Sequence, residues 1–276
     1  IPHGGCPVRC RFCDQRTSGG AAIAPKAISE HIESHLKYQN RFEEIAFYGA
    51  TFTLLPQRLQ EDYLKAAVPY IKSGRVVSVR ISTRPDALDE DWLAQMSAQY
   101  ALRTVELGAQ SFRQKSLDLL GRGHSVESIF QAVRLLKKLK LRVGIHMMLG
   151  VPGEGESKNE DAHTLEQLLQ LQPDFVRIHP LLVFKGTALA TDFQSGTFSP
   201  ISLDEAVERA AFLTQNLELS GIAVQRRGLQ PNEVISDELL AGAYHPAFGE
   251  LVRSRIWRNA IASVLRKTEL SKIAEI

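Results

Sequence analysis

Apolar residues along the chain follow two alternating periods, one typical of helices and one typical of strands. Three apolar residues near the start lie four positions apart, as one face of a helix requires: Ile28, Ile32 and Leu36. The stretch 55–74 predicts a second helix, because Pro56 stands at its start and Gly74 follows its end. The stretch 76–82, "VVSVRIS", alternates apolar and polar residues and is rich in β-branched side chains, which predicts a strand.

The same alternation of strand and helix patterns continues to about residue 229. Further strands are predicted at 45–52, 103–108, 142–150, 175–183 and 222–229. Helical patterns separate them, so the strands are expected to run parallel under crossing helices. Six strands are too few for a complete eight-stranded barrel, and the sequence predicts an α/β fold, a partial (β/α)6 TIM-like barrel. One more strand is expected at or before Ile1.

Residues 230–276 depart from this pattern and predict a helical C-terminal extension. We therefore expect a barrel domain over residues 1–229 and a helical cap, over or beside the barrel mouth, over 230–276. The composition, 44% hydrophobic and 23% charged, is ordinary for a globular protein. The apolar runs are too short to span a bilayer, so no membrane association is expected. The net charge of +2 does not by itself indicate a nucleic-acid partner.

All three cysteines of the chain lie within eight residues near its start: Cys6, Cys10 and Cys13. An odd number of clustered thiols is a poor disulfide framework and is typical of metal ligands in a reducing compartment, so a cytoplasmic location is expected. Three thiolates can hold three irons of a cubane cluster and leave the fourth iron open, as catalysis requires. A zinc site completed by His3 and a purely structural role are the alternatives.

The cysteine spacing, with Phe12 directly before the last cysteine, resembles the signature loop of the radical S-adenosylmethionine superfamily. Five further segments occur in order and are similar to its Elongator catalytic-subunit-like branch, which is related to oxygen-independent coproporphyrinogen oxidases. They are "FYGATFTLLP" (47–56), "RISTRPD" (80–86), "VELGAQS" (105–111), "GRGH" (121–124) and "MMLGVPG" (147–153). The resemblance extends from Ile1 to about Leu229.

This resemblance implies a [4Fe-4S] cluster on the three cysteines, at the carboxyl ends of the barrel strands. The open iron would bind the amino and carboxylate groups of S-adenosyl-L-methionine. One electron would then cleave this cofactor to a 5′-deoxyadenosyl radical, which takes a hydrogen atom from a substrate. A one-electron donor such as a flavodoxin or ferredoxin is therefore an expected partner. Parallel α/β folds bind ligands at this edge of the sheet in general, which agrees with the implied location.

The resemblance also assigns cofactor contacts to single residues. Phe12 is expected near the adenine, while Gly49, Ala50 and Thr51 are expected beside the amino and carboxylate groups. Related proteins usually have two glycines in this segment, and Ala50 departs from that pattern. Ser82 stands where related enzymes often present an acidic group to the ribose. A structural turn at 49–51 and a strand-end cap at Ser82 are the alternatives.

Four more residues complete the expected cofactor site: Glu106, Gln110, Arg122 and His146. Gln110 is expected to contact the cofactor or substrate, Arg122 the methionine carboxylate through its bidentate fork, and His146 the adenosine. Glu106 lies on the opposite face of its strand from its apolar neighbours, where a buried carboxylate needs a partner. The alternatives are a loop hydrogen bond for Gln110, a solvated charge for Arg122 and a structural role for His146.

Transfer RNA is the leading substrate class, because the Elongator-like branch modifies tRNA wobble uridines together with an acetyltransferase domain. No segment of these 276 residues is assigned to such a domain, so the tRNA substrate is an expectation only. A small molecule or a tetrapyrrole is the alternative substrate within the superfamily. A non-catalytic relative that binds an iron–sulfur cluster, haem or RNA is the alternative outside enzyme function.

Overall fold

A computed structural model describes residues 5–14, 23–49, 51–231 and 233–267 of the chain. Two residues singled out in the sequence, His3 and Ala50, lie outside these ranges, so their expected roles are not described. The strands are β1 (Phe42–Phe47), β2 (Val76–Thr83), β3 (Leu102–Gln110), β4 (Arg142–Leu149), β5 (Phe175–Pro180), β6 (Leu182–Phe184), β7 (Ala223–Arg227) and β8 (Leu239–Gly242).

Most of these strands form one parallel sheet. Its order is β1-β2-β3-β4-β5-β7, and every neighbouring pair in it is parallel. The sheet curls into a half-barrel, so the predicted partial α/β barrel is confirmed. The remaining two strands, β6 and β8, pair with each other in an antiparallel direction.

Helices connect the strands and cover the outer face of the sheet. They are α1 (Ile28–Leu36), α2 (Gln57–Lys72), α3 (Glu90–Tyr100), α4 (Gln114–Leu119), α5 (Val126–Lys138), α6 (Ser157–Leu171), α7 (Ala188–Gln194), α8 (Leu203–Leu219), α9 (Glu233–Glu238) and α10 (Phe248–Lys267). Several begin at a side-chain cap; the Asp89 carboxylate, for example, accepts a hydrogen bond from the Trp92 N–H before α3. No helix within the described ranges is both long and apolar enough to cross a bilayer.

The helical C-terminal region is present, but it also contains the short strand β8, which the sequence did not predict. The predicted strand 175–183 is two strands, because β5 ends at Pro180 and the chain then leaves the sheet. Proline has no N–H to donate to a neighbouring strand, which favours an end at this point. The short helices α4 and α7 were also missed, since six or seven residues are too few to establish a helical period.

The two faces of the sheet differ in character. Leu107 and Ile145 point to the helix-covered side and belong to the main apolar core. Polar side chains from alternate positions meet on the concave side, where Arg80 and His146 both contact Glu106. Because side chains alternate along a strand, the half-barrel has an apolar outer layer and a polar interior.

Close packing between β4 and β5 gives a first testable prediction. A Cβ atom added to Gly144 would overlap the ring of Phe175, which is fully buried and cannot move aside. We expect Gly144→Ala to destabilise the protein by about 2 kcal/mol, as overpacking of a core does. The melting temperature should fall by about 5 °C, measured by circular dichroism. Gly155→Ala is the control, since nothing lies within 4 Å of its added Cβ; equal melting temperatures for the two variants would contradict the prediction.

Candidate active site

A cavity of about 940 Å³ opens at the carboxyl ends of the parallel strands. Its wall is formed by the cysteine loop (residues 6–14), by residues that follow β1, by side chains within β2, β3, β4 and β5, by Arg84 and Arg122, and by residues 186–188 at the start of α7. Every predicted site residue that the structure describes lines this one cavity: Cys6, Cys10, Phe12, Cys13, Gly49, Thr51, Ser82, Glu106, Gln110, Arg122 and His146. The fold therefore brings together residues that are far apart in the sequence.

The cysteine loop is irregular, with one hydrogen bond inside it and one contact to the segment after β1. The Cys13 N–H donates to the Cys10 carbonyl at 3.0 Å, and the Cys6 thiol lies 3.4 Å from the Thr51 hydroxyl. None of the three cysteines forms a disulfide, and all are half-buried at the cavity wall. Three thiols beside a cavity much larger than a single ion are a donor set that fits an iron–sulfur cluster.

The zinc alternative requires several ligands around one point. Within the described ranges, no three histidine, cysteine, aspartate or glutamate side chains are placed to hold a single metal ion. The fourth ligand suggested by the sequence, His3, lies outside those ranges.

Phe12 and the segment after β1 form two sides of the cavity wall. Phe12 packs against a small apolar cluster that includes Leu120, Met148 and Leu189. Gly49 has φ of +97°, a backbone conformation that favours glycine. Thr51 is almost fully buried, and Ser82 is half-buried on the neighbouring strand. Their contacts with a cofactor stay predictions.

Arg122 is buried, so the alternative of a solvated charge is wrong for this residue. Its guanidinium donates to the Cys10 thiol at 3.2 Å, to the Gly108 carbonyl, and through Nε to the His124 ring nitrogen Nε2 at 3.3 Å. Burial, followed by the Arg122 charge, lowers the pKa of His124 to about 4. His124 is therefore neutral at pH 7, and its ring can accept this hydrogen bond.

Gln110 is the most unusual residue of the cavity wall. It has φ of +71°, which is rare for a residue with a side chain, and only 9% of its surface is exposed. Its Oε1 atom is buried and has no hydrogen-bond partner within the described part of the chain. Buried acceptors are nearly always satisfied, so an acceptor without a partner at the cavity wall is unusual.

Glu106 lies at the centre of the polar interior and has no exposed surface. It accepts hydrogen bonds from the Tyr48 hydroxyl at 2.5 Å, Arg80 at 2.6 Å and Arg177 at 3.0 Å, and it also contacts His146 Nε2. The expectation that this carboxylate needs a partner is confirmed. The sequence missed Tyr48, Arg80 and Arg177; the two-residue period through Arg80 and Ser82 was the available signal.

Electrostatics inside the half-barrel keep Glu106 ionised. Burial alone would raise the pKa of Glu106, but the hydrogen bond and charge of His146, with Tyr48 and Arg177, outweigh it and lower the pKa to about 2. For Tyr48, burial and then the Glu106 charge raise the pKa to about 12. The site therefore holds a buried carboxylate and a neutral phenol at neutral pH.

The C-terminal extension packs against α8 through helix α10 and pairs with β6 through β8. In the ranges that the structure describes, no residue after 229 lines the cavity. The boundary near residue 229 and the function of this extension stay predictions.

Comparison with known protein families gives two matches that together cover most of the chain. The model of the radical SAM superfamily matches residues 1–165, and that of the radical SAM C-terminal domain matches residues 173–258. The chain is similar to protein YhcC of Escherichia coli strain K12, with 26% identity over 260 residues, covering 88% of this chain and 78% of that protein.

Two further similarities concern the Elongator-like branch. The tRNA uridine(34) acetyltransferase of Methanocaldococcus infernus is 40% identical over 137 residues, covering 49% of this chain and 25% of that protein. The solved structure of Elp3 from Methanocaldococcus infernus, with residues 1–46 deleted, matches with a TM-score of 0.75 and 26% identity. That match covers 86% of this chain and 59% of the Elp3 chain.

Proposed function

The chain belongs to the radical S-adenosylmethionine superfamily of enzymes, and from that premise we propose that its cavity binds a [4Fe-4S] cluster and S-adenosylmethionine. Cys6, Cys10 and Cys13 would hold the cluster. One observation carries the proposal: three thiols, a buried arginine and a buried acceptor without a partner line the same cavity. Thiols at this position also favour a reducing compartment such as the cytoplasm.

When bound, the cluster and cofactor would supply reductive cleavage of S-adenosylmethionine to a 5′-deoxyadenosyl radical that takes a hydrogen atom from the substrate. The residues of the chain bind and orient the cofactor. Arg122 provides a buried positive charge beside Cys10, where its planar fork suits a carboxylate. Neutral His124 accepts a hydrogen bond from Arg122 Nε and so fixes the orientation of the guanidinium.

Gln110 and the polar interior would bind the rest of the ligand. The Gln110 Oε1 atom would accept a hydrogen bond from an N–H group of the cofactor or substrate. Ser82 on β2 and His146 on β4 both line the cavity and would contact the adenosine. These roles rest on the position of each residue and on the family.

We further propose that the substrate is a tRNA and that a one-electron donor such as a flavodoxin or ferredoxin reduces the cluster. Support for tRNA comes from the 40% identity to a tRNA uridine(34) acetyltransferase. The matched region is 25% of that protein, so its acetyltransferase activity does not transfer to this chain. Steeply salt-dependent binding of purified tRNA would support the proposal, and saturable turnover of a small molecule alone would contradict it.

The experiment that tests the proposed chemistry is direct. The protein is reconstituted with iron and sulfide without oxygen, then given S-adenosylmethionine and dithionite. Formation of 5′-deoxyadenosine, detected by mass spectrometry, is the expected result. A protein that holds about four irons per chain but forms no 5′-deoxyadenosine would overturn the proposal.

Removal of the Arg122 charge tests the cofactor assignment. We expect Arg122→Gln to weaken S-adenosylmethionine binding about 10- to 100-fold, because hydrogen bonds to a charged group contribute about 1.5–3 kcal/mol. Equilibrium dialysis of the reconstituted protein measures the Kd, and iron content is measured in parallel because Arg122 also contacts Cys10. Arg134→Gln, at an exposed pair on α5, is the control. An unchanged Kd with full iron content would contradict the assignment.

A further inference from the structure

The two residues between Cys10 and Cys13 anchor the cysteine loop to helix α7. The Arg11 guanidinium donates to both carboxylate oxygens of Asp192, from Nη2 at 2.6 Å and from Nε at 3.2 Å. The next residue, Phe12, packs on the apolar cluster to which α7 contributes. Arg11 therefore binds α7 directly, and Phe12 packs on an apolar cluster that includes residues of α7.

Main-chain hydrogen bonds strengthen the same attachment. The Leu189 N–H, in the first turn of α7, donates to the Arg11 carbonyl at 2.8 Å. On the opposite side, the Arg11 N–H donates to the Leu120 carbonyl at 2.9 Å. Arg11 is thus fixed through its side chain and through both of its main-chain polar groups. The loop has no helix or strand of its own to provide this rigidity.

Cys6 is held by a different part of the fold. Its thiol lies beside Thr51, which follows β1, and the adjacent Gly5 packs tightly against the Thr51 carbonyl. The loop is therefore attached on different sides. The segment after β1 holds Cys6, while α7 and the residues after α4 hold the segment that carries Cys10 and Cys13.

We propose that Asp192 is a positioning residue that, through Arg11, holds Cys10 and Cys13 in the arrangement that receives the cluster. A bidentate arginine–carboxylate pair fixes direction as well as distance, which suits this task. Helix α7 follows β6 directly, and β6 pairs with β8 of the C-terminal extension. The extension therefore pairs with the strand that leads into α7. The inference rests on the proposed function only for the identity of the metal group.

Thiol reactivity in the metal-free protein tests the attachment without any cluster. Asp192→Ala and Arg11→Ala both break the pair but change the local charge in opposite directions. A nearby positive charge favours the reactive thiolate and a nearby negative charge disfavours it, so a change of charge alone would move the alkylation rates of the two variants in opposite directions. Loss of the attachment would instead raise the alkylation rate in both variants. Iodoacetamide labelling at each cysteine, followed by mass spectrometry, separates these two cases.

We expect Cys10 and Cys13 to be alkylated about fivefold faster in both variants, the factor that a pair contributing about 1 kcal/mol gives. Cys6, held from β1, is the internal reference and should change by less than about twofold. Glu33→Ala is the matched control, because Arg75 and Glu33 form a bidentate exposed pair far from the loop. Opposite changes in the two variants, or equal acceleration at Cys6, would overturn the inference.

A second measurement on the reconstituted protein links the attachment to the cluster. We expect Asp192→Ala to lose iron to a ferrous chelator about fivefold faster than the unaltered protein and the Glu33→Ala control. Equal rates of iron loss would overturn the role assigned to Asp192. An unaltered protein that binds no iron would refute the proposed function instead, while the thiol rates would still decide whether Asp192 holds the loop.

Discussion

The Cys10→Ala variant is expected to lose the brown colour of the cluster, because the variant lacks one of the three thiolates that bind iron. Its rate of 5′-deoxyadenosine formation should fall at least about 100-fold. The two other cysteines of the 276 residues, Cys6 and Cys13, are already assigned to the cluster, so neither is available to replace Cys10. Its thiol also accepts the hydrogen bond from Arg122, so its removal affects cluster and cofactor together. Visible absorbance, iron content and product formation measure the three consequences.

The control for this variant lies in the same loop. Val8→Ala changes a side chain that is 36% exposed and carries no metal-ligating atom, so cluster and activity should be kept. This comparison separates loss of a ligand from general disturbance of the loop. A Cys10→Ala protein with unchanged iron content and activity would show that the three cysteines do not form the proposed site.

The sequence predicted the part of the site that depends on local spacing. Cys6, Cys10 and Cys13 could be identified because they occur within one loop, and their chemistry follows from the residue type. The inward direction of Glu106 could be predicted because side chains alternate along a strand. The location of Gln110 and Arg122 at the same cavity followed from the resemblance, together with the rule that parallel strands end at one edge.

The partners of these residues could not be predicted, because they depend on contacts between distant segments. Arg177 reaches Glu106 only because β4 and β5 pair in a register that places His146 beside Arg177. No local pattern specifies that register. Asp192 contacts Arg11 across 181 residues, and it lies on a helix too short to show a period. Tertiary structure was therefore needed to find both groups.

The largest expected effect on stability comes from Glu106→Gln. The change removes the charge that pairs with Arg80 and Arg177, and it leaves those guanidinium groups in the polar interior of the half-barrel. Removing one partner of a buried ion pair costs about 3–5 kcal/mol. Urea unfolding at pH 7 measures this loss. Glu127→Gln, at an exposed pair with Arg134, is the control and should change stability by less than about 1 kcal/mol.

The pH dependence of stability gives an independent test of the same residue. The pKa of Glu106 is about 2 in the folded protein and 4.5 as its ordinary value, so its stabilising contribution is present above pH 4.5 and is lost as the pH falls towards 2. The difference corresponds to about 3 kcal/mol at neutral pH. The stability gap between the unaltered protein and Glu106→Gln should therefore narrow by about 2 kcal/mol between pH 6 and pH 3.

A difference in unfolding free energy that stays constant between pH 6 and pH 3 would mean that the neighbours of Glu106 do not selectively stabilise its ionised form. A gap that narrows as expected would assign Glu106 to holding Tyr48, His146 and Arg177 in place. His146 and Arg177 also line the cavity, so the same network that stabilises the half-barrel fixes the wall against which a substrate binds. One buried carboxylate would then determine both the stability of the half-barrel and the geometry of the cavity wall. Substitutions at Glu106 are expected to lower both together.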